Sequence, residues 1–431
     1  MRPHNAHASR GTKISRSFAF QVVLSTIRNV LCEQRPVRAR NPKISRGWWI
    51  EEPVMTDRTQ NSWPTLSIVL MLVLLGGYCG SSGASETSEK FACNEKSRRV
   101  CSVLFVGDSY THGRYTPVRT FNAQTPGKPW RPPQVIDENY GETGERKESQ
   151  NEPGPWGGIP GIFSELAQQM DLSYKVHIEA ISATSLEKNY KAASEVIAQA
   201  GWQAVVLQEL SVKPLPRSLT NSKLSDPPGF WASVQTIEQA VHVVAPKAQI
   251  FLYETWASGD LAKEIAGDTT QPDFHEKYMK ALGDILDTNL ASYRCAAQRD
   301  GKVAGVAPTG EAWRRAWDEG LANPDPFQSS PSSLPILWYG INAANDPPIT
   351  RPDYHHPSVY GAYLSGLVLF VQMTGADVRK LGACELVAAK LGIPGELALR
   401  LQQVAWLAVR HRPRTTAGTT NNPCHLVDPG D

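Results

Sequence analysis

The sequence has no surplus of charge of either sign: 44 lysines and arginines stand against 42 aspartates and glutamates, a formal net charge of +2. Much of that small basic excess lies ahead of residue 54, so the remainder is near neutral or slightly acidic. A nucleic-acid-binding surface, which needs a basic patch, is excluded. The chain also lacks a comfortable membrane span, because its apolar run Leu66–Leu75 covers about ten residues where a helix needs about twenty. Cysteine is scarce, and none of the seven falls in the CxxC spacing of a zinc site. No internal repeat is present, which excludes a solenoid.

What the N-terminal part does contain reads as targeting. Leu66–Leu75 has the length of a signal-peptide core, and Gly76–Ala84 after it is rich in small residues, with Ser82 and Ala84 suited to a cleavage site. Residues 55–84 are therefore expected to be a signal peptide, with an uncleaved anchor or a lipoprotein cut before Cys79 as alternatives. Residues 1–54, Arg-rich and ahead of a better start at Met55, are expected to be a non-native or disordered extension, and 85–96 a linker. Export is the expected localisation, periplasmic or extracellular, with no stable span after cleavage. Beyond the cleavage site remain Cys93, Cys101, Cys295, Cys384 and Cys424. Cys93 and Cys101 could pair in an oxidising compartment, and buried unpaired thiols are the alternative for the set.

From about residue 97 short β-branched runs alternate with amphipathic stretches, the pattern of a parallel sheet covered by helices on both faces. The strands are expected at Val100–Val106, Tyr174–Ile181, Ala204–Gln208, Ile250–Thr255 and Val303–Val306. Helices are expected at Ile159–Met170, Leu186–Ala200, Phe230–Val244, Phe274–Leu290, Glu311–Glu319, Val359–Thr374 and Gly395–Val409. The predicted fold is a three-layer α/β/α sandwich around a doubly wound, flavodoxin-like parallel sheet of five strands, over residues 97–412. Two stretches break the rhythm. Residues 114–156 make a connection of about forty residues where α/β units use two to six, and a lid over the cleft is expected there. Residues 413–431 read as a solvated tail.

Two motifs carry chemistry. The strand Val103–Val106 runs into Gly107-Asp108-Ser109, which puts a serine at the carboxyl end of the first strand, the edge where open α/β sheets bind ligands. Ser109 can serve there as nucleophile, with its own backbone N–H as an oxyanion donor. Far along the chain, Asp353 stands three residues before His356 in Asp353-Tyr-His-His356-Pro357, a spacing that lets the carboxylate hold Nδ1 and leaves Nε2 free as base. His355 is the rival base.

Together these motifs and the sheet between them resemble the SGNH/GDSL hydrolase family over about residues 98–411. More narrowly the chain is similar to a poorly characterised bacterial branch, through Val205-Val-Leu-Gln-Glu209, Tyr253-Glu-Thr-Trp256 and Pro308-Thr-Gly-Glu-Ala-Trp313. The resemblance implies an esterase with a Ser109–His356–Asp353 triad, a covalent acyl-enzyme and no metal or organic cofactor. It also implies an oxyanion site, but the family's second-block glycine is missing from Ile181-Ser182-Ala183, and Gln208 stands where the third block has asparagine. Ser182, Ala183 and Gln208 are the candidate donors beside Ser109; for Gln208 a structural role at its strand end is the alternative.

His112, Glu209, Trp256 and Trp313 are candidate substrate contacts, each against a packing or capping alternative, and so are Glu254 and Glu311. The favoured substrate is a small acyl ester, such as an acetyl group on a carbohydrate. Two rivals remain: a non-catalytic carbohydrate-binding protein of this fold, and a metal-dependent hydrolase using His112, Asp353, His355 and His356.

Overall fold

The computed structural model describes residues 100–328, 330, 332–341, 351–411 and 423–427. The expected extension, signal peptide and linker at 1–96, Cys93, and most of the expected tail lie outside the described residues. Among the described residues, no helix is long and apolar enough to cross a membrane.

Six parallel strands form one sheet: β1 Cys101–Gly107, β2 Val135–Asp137, β3 Tyr174–Ala180, β4 Ala204–Leu207, β5 Gln249–Glu254 and β6 Val303–Pro308. Their spatial order is β2-β3-β1-β4-β5-β6. The five strands other than β2 follow the flavodoxin-like order expected, and β2 adds to the β3 edge out of the long 114–156 connection. Sequence pattern missed it because three residues are too few to show a period.

The strands are short and apolar because both faces are covered. Along β1 the side chains alternate. Val103 and Phe105 enter one core with Ile162, Phe163 and Leu367, whereas Leu104 and Val106 enter the other with Phe230, Val234 and Ile237. The helices, in chain order, are α1 Ser109–His112, α2 Gly158–Gln169, α3 Leu186–Ile197, α4 Arg217–Thr220, α5 Pro227–Val244, α6 Gly259–Ala266, α7 Phe274–Asp300, α8 Thr309–Asp318, α9 Val359–Thr374, α10 Leu386–Lys390 and α11 Gly395–Arg410. Each expected helix is present within a few residues, except that α7 runs on to Asp300.

The Asp353–His356 motif forms β8, Asp353–Pro357, paired antiparallel with β7, Trp338–Gly340. Two further expectations are corrected. The unpaired-thiol alternative fails at Cys295 and Cys424, which form a disulfide across 129 residues of sequence. The 114–156 connection is not a separable lid, since it supplies β2 and buries Val118, Phe121, Val135 and Trp156 in the core.

Candidate active site

The first strand ends at Gly107, beside the point where the sheet order turns from β1 to its neighbours β3 and β4. Asp108 caps the following helical turn, its carboxylate accepting from the Tyr110 N–H at 2.9 Å. Burial pushes the Asp108 carboxyl up to about 7. The turn is fixed from below by Gln208, whose Oε1 accepts from the Asp108 N–H at 2.9 Å and the Thr111 hydroxyl at 2.8 Å. Gly107 is needed for this approach: a Cβ there would sit 2.3 Å from Thr111 Oγ1 and 2.4 Å from Gln208 Oε1.

Ser109 Oγ, presented by that turn, lies 2.8 Å from His356 Nε2. On the other side of the ring, His356 Nδ1 lies 2.9 Å from Asp353 Oδ2. The carboxylate folds back on its own chain, Oδ1 accepting from the His355 N–H at 3.0 Å and the His356 N–H at 2.9 Å. Oδ2 takes a further hydrogen bond from the Tyr115 hydroxyl at 2.6 Å. Burial by itself raises the Asp353 carboxyl, but the His356 contact and charge, with Tyr115, outweigh it and hold the group well below the usual carboxylate range. A carboxylate that stays ionised keeps the Nδ1 proton of His356 in place and leaves Nε2 as acceptor. Ser358, two residues after His356, caps α9 through the Tyr360 and Gly361 N–H groups and so anchors this segment.

His355 is turned elsewhere. Its Nδ1 lies 3.0 Å from both the Tyr110 and Ser258 hydroxyls. Burial, then the neighbouring His356 charge, pushes it down to about 3.

At the end of β3, Ser182 and Ala183 form a turn beside the site. Ala183 has φ +56°, the left-handed conformation that favours glycine. Among the described residues, the N–H groups of Ser109, Ser182 and Ala183 meet no protein acceptor. Gln208 is 1 % exposed, and its Nε2 donates to the Glu209 carbonyl at 2.6 Å. The strand-end structural role is the one observed.

The other expected substrate contacts are corrected as well. His112 is fully buried against Trp156, ring centroids 4.2 Å apart, with its Nε2 2.9 Å from Ser182 Oγ. Glu209 caps α3 by accepting from the Leu186 N–H at 3.0 Å, and burial pushes its carboxyl up to about 7. Trp256 and Trp313 stack on each other at 4.4 Å and continue a buried column from Tyr110. Glu254 caps α8 through the Gly310 N–H at 2.8 Å, and Glu311 lies in the first turn of that helix. Glu209 and Glu254 thus satisfy helix ends, which is the ordinary fate of polar groups there.

Several residues that border Asp353 and His356 carried no signal in the sequence. A cleft of about 410 Å³ is lined by Arg114, Tyr115, Asp260, Arg351, Asp353 and His356. It shares Asp260 and His355 with a second lobe of about 400 Å³, walled by Asn221, Ser258 and Leu261 among others. Ser109 is 6 % exposed and lies against His356, which lines the first lobe. The one sequence signal for this wall was that Arg114 and Tyr115 follow the Ser109 turn directly. The metal set His112, Asp353, His355 and His356 does not converge, and no three potential ligands cluster among the described residues.

No family model and no curated protein matches the chain. Among solved structures it is similar to a DUF4886 family protein from Bacteroides uniformis, at 12% identity over 74% of this chain and 98% of that one, TM-score 0.42. It is similar also to the acetylxylan esterase Axe2 from Geobacillus stearothermophilus, at 15% identity over 64% and 95%, TM-score 0.33. A third is phospholipase A1 from Streptomyces albidoflavus, at 11% identity over 64% and 100%, TM-score 0.34. Likenesses this distant say nothing of the reaction.

Proposed function

We propose that the protein is a serine hydrolase of the SGNH/GDSL type that cleaves a carboxylic ester through an acyl-Ser109 intermediate. The observation that carries the reading is the continuous hydrogen-bonded line from Ser109 Oγ through His356 Nε2 and Nδ1 to Asp353 Oδ2, at 2.8 and 2.9 Å.

In this reading His356 takes the Ser109 proton as Oγ attacks the ester carbonyl. The tetrahedral oxyanion is held by backbone N–H groups of Ser109 and of the Ser182–Ala183 turn. Collapse expels the alcohol, which receives its proton from His356. A water molecule, deprotonated by His356 in turn, then releases the acid from Ser109. Asp353 stays ionised throughout and orients the ring.

The charged and hydrogen-bonding side chains Arg114, Asp260, Asn221 and Ser258 in the cleft wall favour a hydroxyl-rich alcohol carrying a small acyl group, such as acetyl on a carbohydrate, over a long lipid chain. Export through the 55–84 segment belongs to the same proposal. The Cys295–Cys424 disulfide supports it, since such bonds persist in oxidising compartments.

The test is labelling of the purified protein with a fluorophosphonate probe and peptide mapping. An adduct on Ser109, lost in Ser109→Ala and His356→Ala, is expected. A folded protein that takes no adduct overturns the reading in favour of a non-catalytic binding protein.

A further inference from the structure

A second buried polar cluster stands behind the Ser182–Ala183 turn, and the proposed reaction makes no use of it. Glu152, from the end of the long 114–156 connection, accepts a short hydrogen bond from the Ser182 hydroxyl. His112 Nε2 lies 2.9 Å from the same Ser182 Oγ and 3.4 Å from Glu152 Oε2. Arg114 holds the other carboxylate oxygen at 3.1 Å. Both Glu152 and His112 are buried, at 3 % and 0 % exposure.

The protons in this cluster can be assigned. An ionised Glu152 only accepts, so Ser182 spends its one proton on it. His112 must then donate to the Ser182 oxygen from Nε2–H. That leaves Nδ1 bare, and the absence of any acceptor beside the buried His112 Nδ1 fits a ring with no proton there. Burial pushes His112 down, and the His112, Ser182 and Arg114 contacts overcome burial to hold Glu152 down at about 2. Each partner thus keeps the protonation state that the others need. The Ser182 side chain is clamped from two sides while its backbone N–H stays free.

We propose that Glu152, with His112, is a positioning residue that fixes the Ser182–Ala183 turn so that its N–H groups face the oxyanion, a role that rests on the serine hydrolase reading. Elsewhere such a turn can rely on glycine; here Ala183 holds the left-handed conformation at φ +56°, and the Ser182 clamp steadies it. The long connection therefore acts on the reaction through Glu152 as well as through Arg114 and Tyr115 in the cleft wall.

The test uses the full chain, with p-nitrophenyl acetate turnover and the rate of fluorophosphonate labelling as paired readouts. Ser182→Ala removes the hydroxyl and keeps the N–H; kcat and the labelling rate are expected to fall roughly 10-fold to 100-fold, with KM within about twofold. Ser182→Thr restores the hydroxyl and is expected to recover most of the loss, which a merely structural defect would not show. Glu152→Gln is expected to match Ser182→Ala; if it does not fold, the Ser182 pair decides. Folded Ser182→Ala that labels Ser109 at the wild-type rate overturns the positioning role and leaves the hydrolase reading intact. Wild-type protein without an adduct overturns that reading and this role with it.

Discussion

Asp353 Oδ2 accepts two hydrogen bonds at once, from His356 Nδ1 at 2.9 Å and from the Tyr115 hydroxyl at 2.6 Å. Tyr115 therefore sets the rotation of the carboxylate against which the imidazole aligns. Its ring is held by stacking on Tyr339, centroids 3.9 Å apart. Tyr115→Phe keeps the stack and removes one donor, so kcat on a simple ester is expected to fall about 5-fold, the value of one modest hydrogen bond. Steady-state kinetics check this, and an unchanged kcat would show that the two backbone N–H groups already suffice.

Loss of Asp353 itself should cost far more. In Asp353→Asn the side chain can present its N–H₂ to Nδ1 and favour the wrong tautomer of His356. A fall in kcat on the order of 10⁴ is expected, with the fold retained by circular dichroism.

Gln208 Oε1 supports the turn that presents Ser109. Gln208→Ala leaves the buried Asp108 N–H without an acceptor and is expected to destabilise by about 1–3 kcal/mol, read as a lower midpoint in urea. A variant of wild-type stability with a large loss of kcat would restore Gln208 to the oxyanion site.

Ala183→Gly should stabilise, or at worst be neutral. The alanine carries the cost of a left-handed backbone, about 1 kcal/mol, while glycine adds entropy to the unfolded chain by a similar amount or less. A loss well beyond 1 kcal/mol would mean that the Ala183 methyl makes a contact of its own.

His355 gives a pH signature. Its folded pKa is pushed down to about 3 from 6.5 by burial and the His356 charge. Between those values the unfolded chain binds the proton and the folded chain does not, so this residue's contribution is intact above 6.5 and is lost as pH falls toward 3. Asp108 and Glu209, pushed up to about 7, act in the opposite sense over part of that window. The difference between wild type and His355→Gln isolates the histidine: the variant's melting temperature should fall less steeply from pH 6.5 downward. Parallel curves would refute the assignment.

What the sequence determined by itself is what neighbours along the chain decide. Short apolar runs buried on both sides mark β1, β3, β4, β5 and β6, and amphipathic periods mark the helices, since each pattern repeats within one element. Ser109 at a strand end and Asp353 three residues before His356 were legible for the same reason: each motif is local, and the pair needs only a parallel sheet to meet. Tertiary structure alone decided the fate of the isolated polar and aromatic residues. Gln208, Glu209, Trp256 and Trp313 were ambiguous because a strand-end amide, carboxylate or indole can face substrate or close off a helix, turn or core. Which it does depends on partners such as Asp108, Leu186 and Tyr110, about 20 to 150 residues distant in sequence. Tyr115 and Glu152 were invisible for a related reason. They sit in an aperiodic, polar connection, and their partners Asp353 and Ser182 are reached only when β2 joins the sheet edge and Trp156 enters the core, since contacts that long in sequence exist only after the chain has folded.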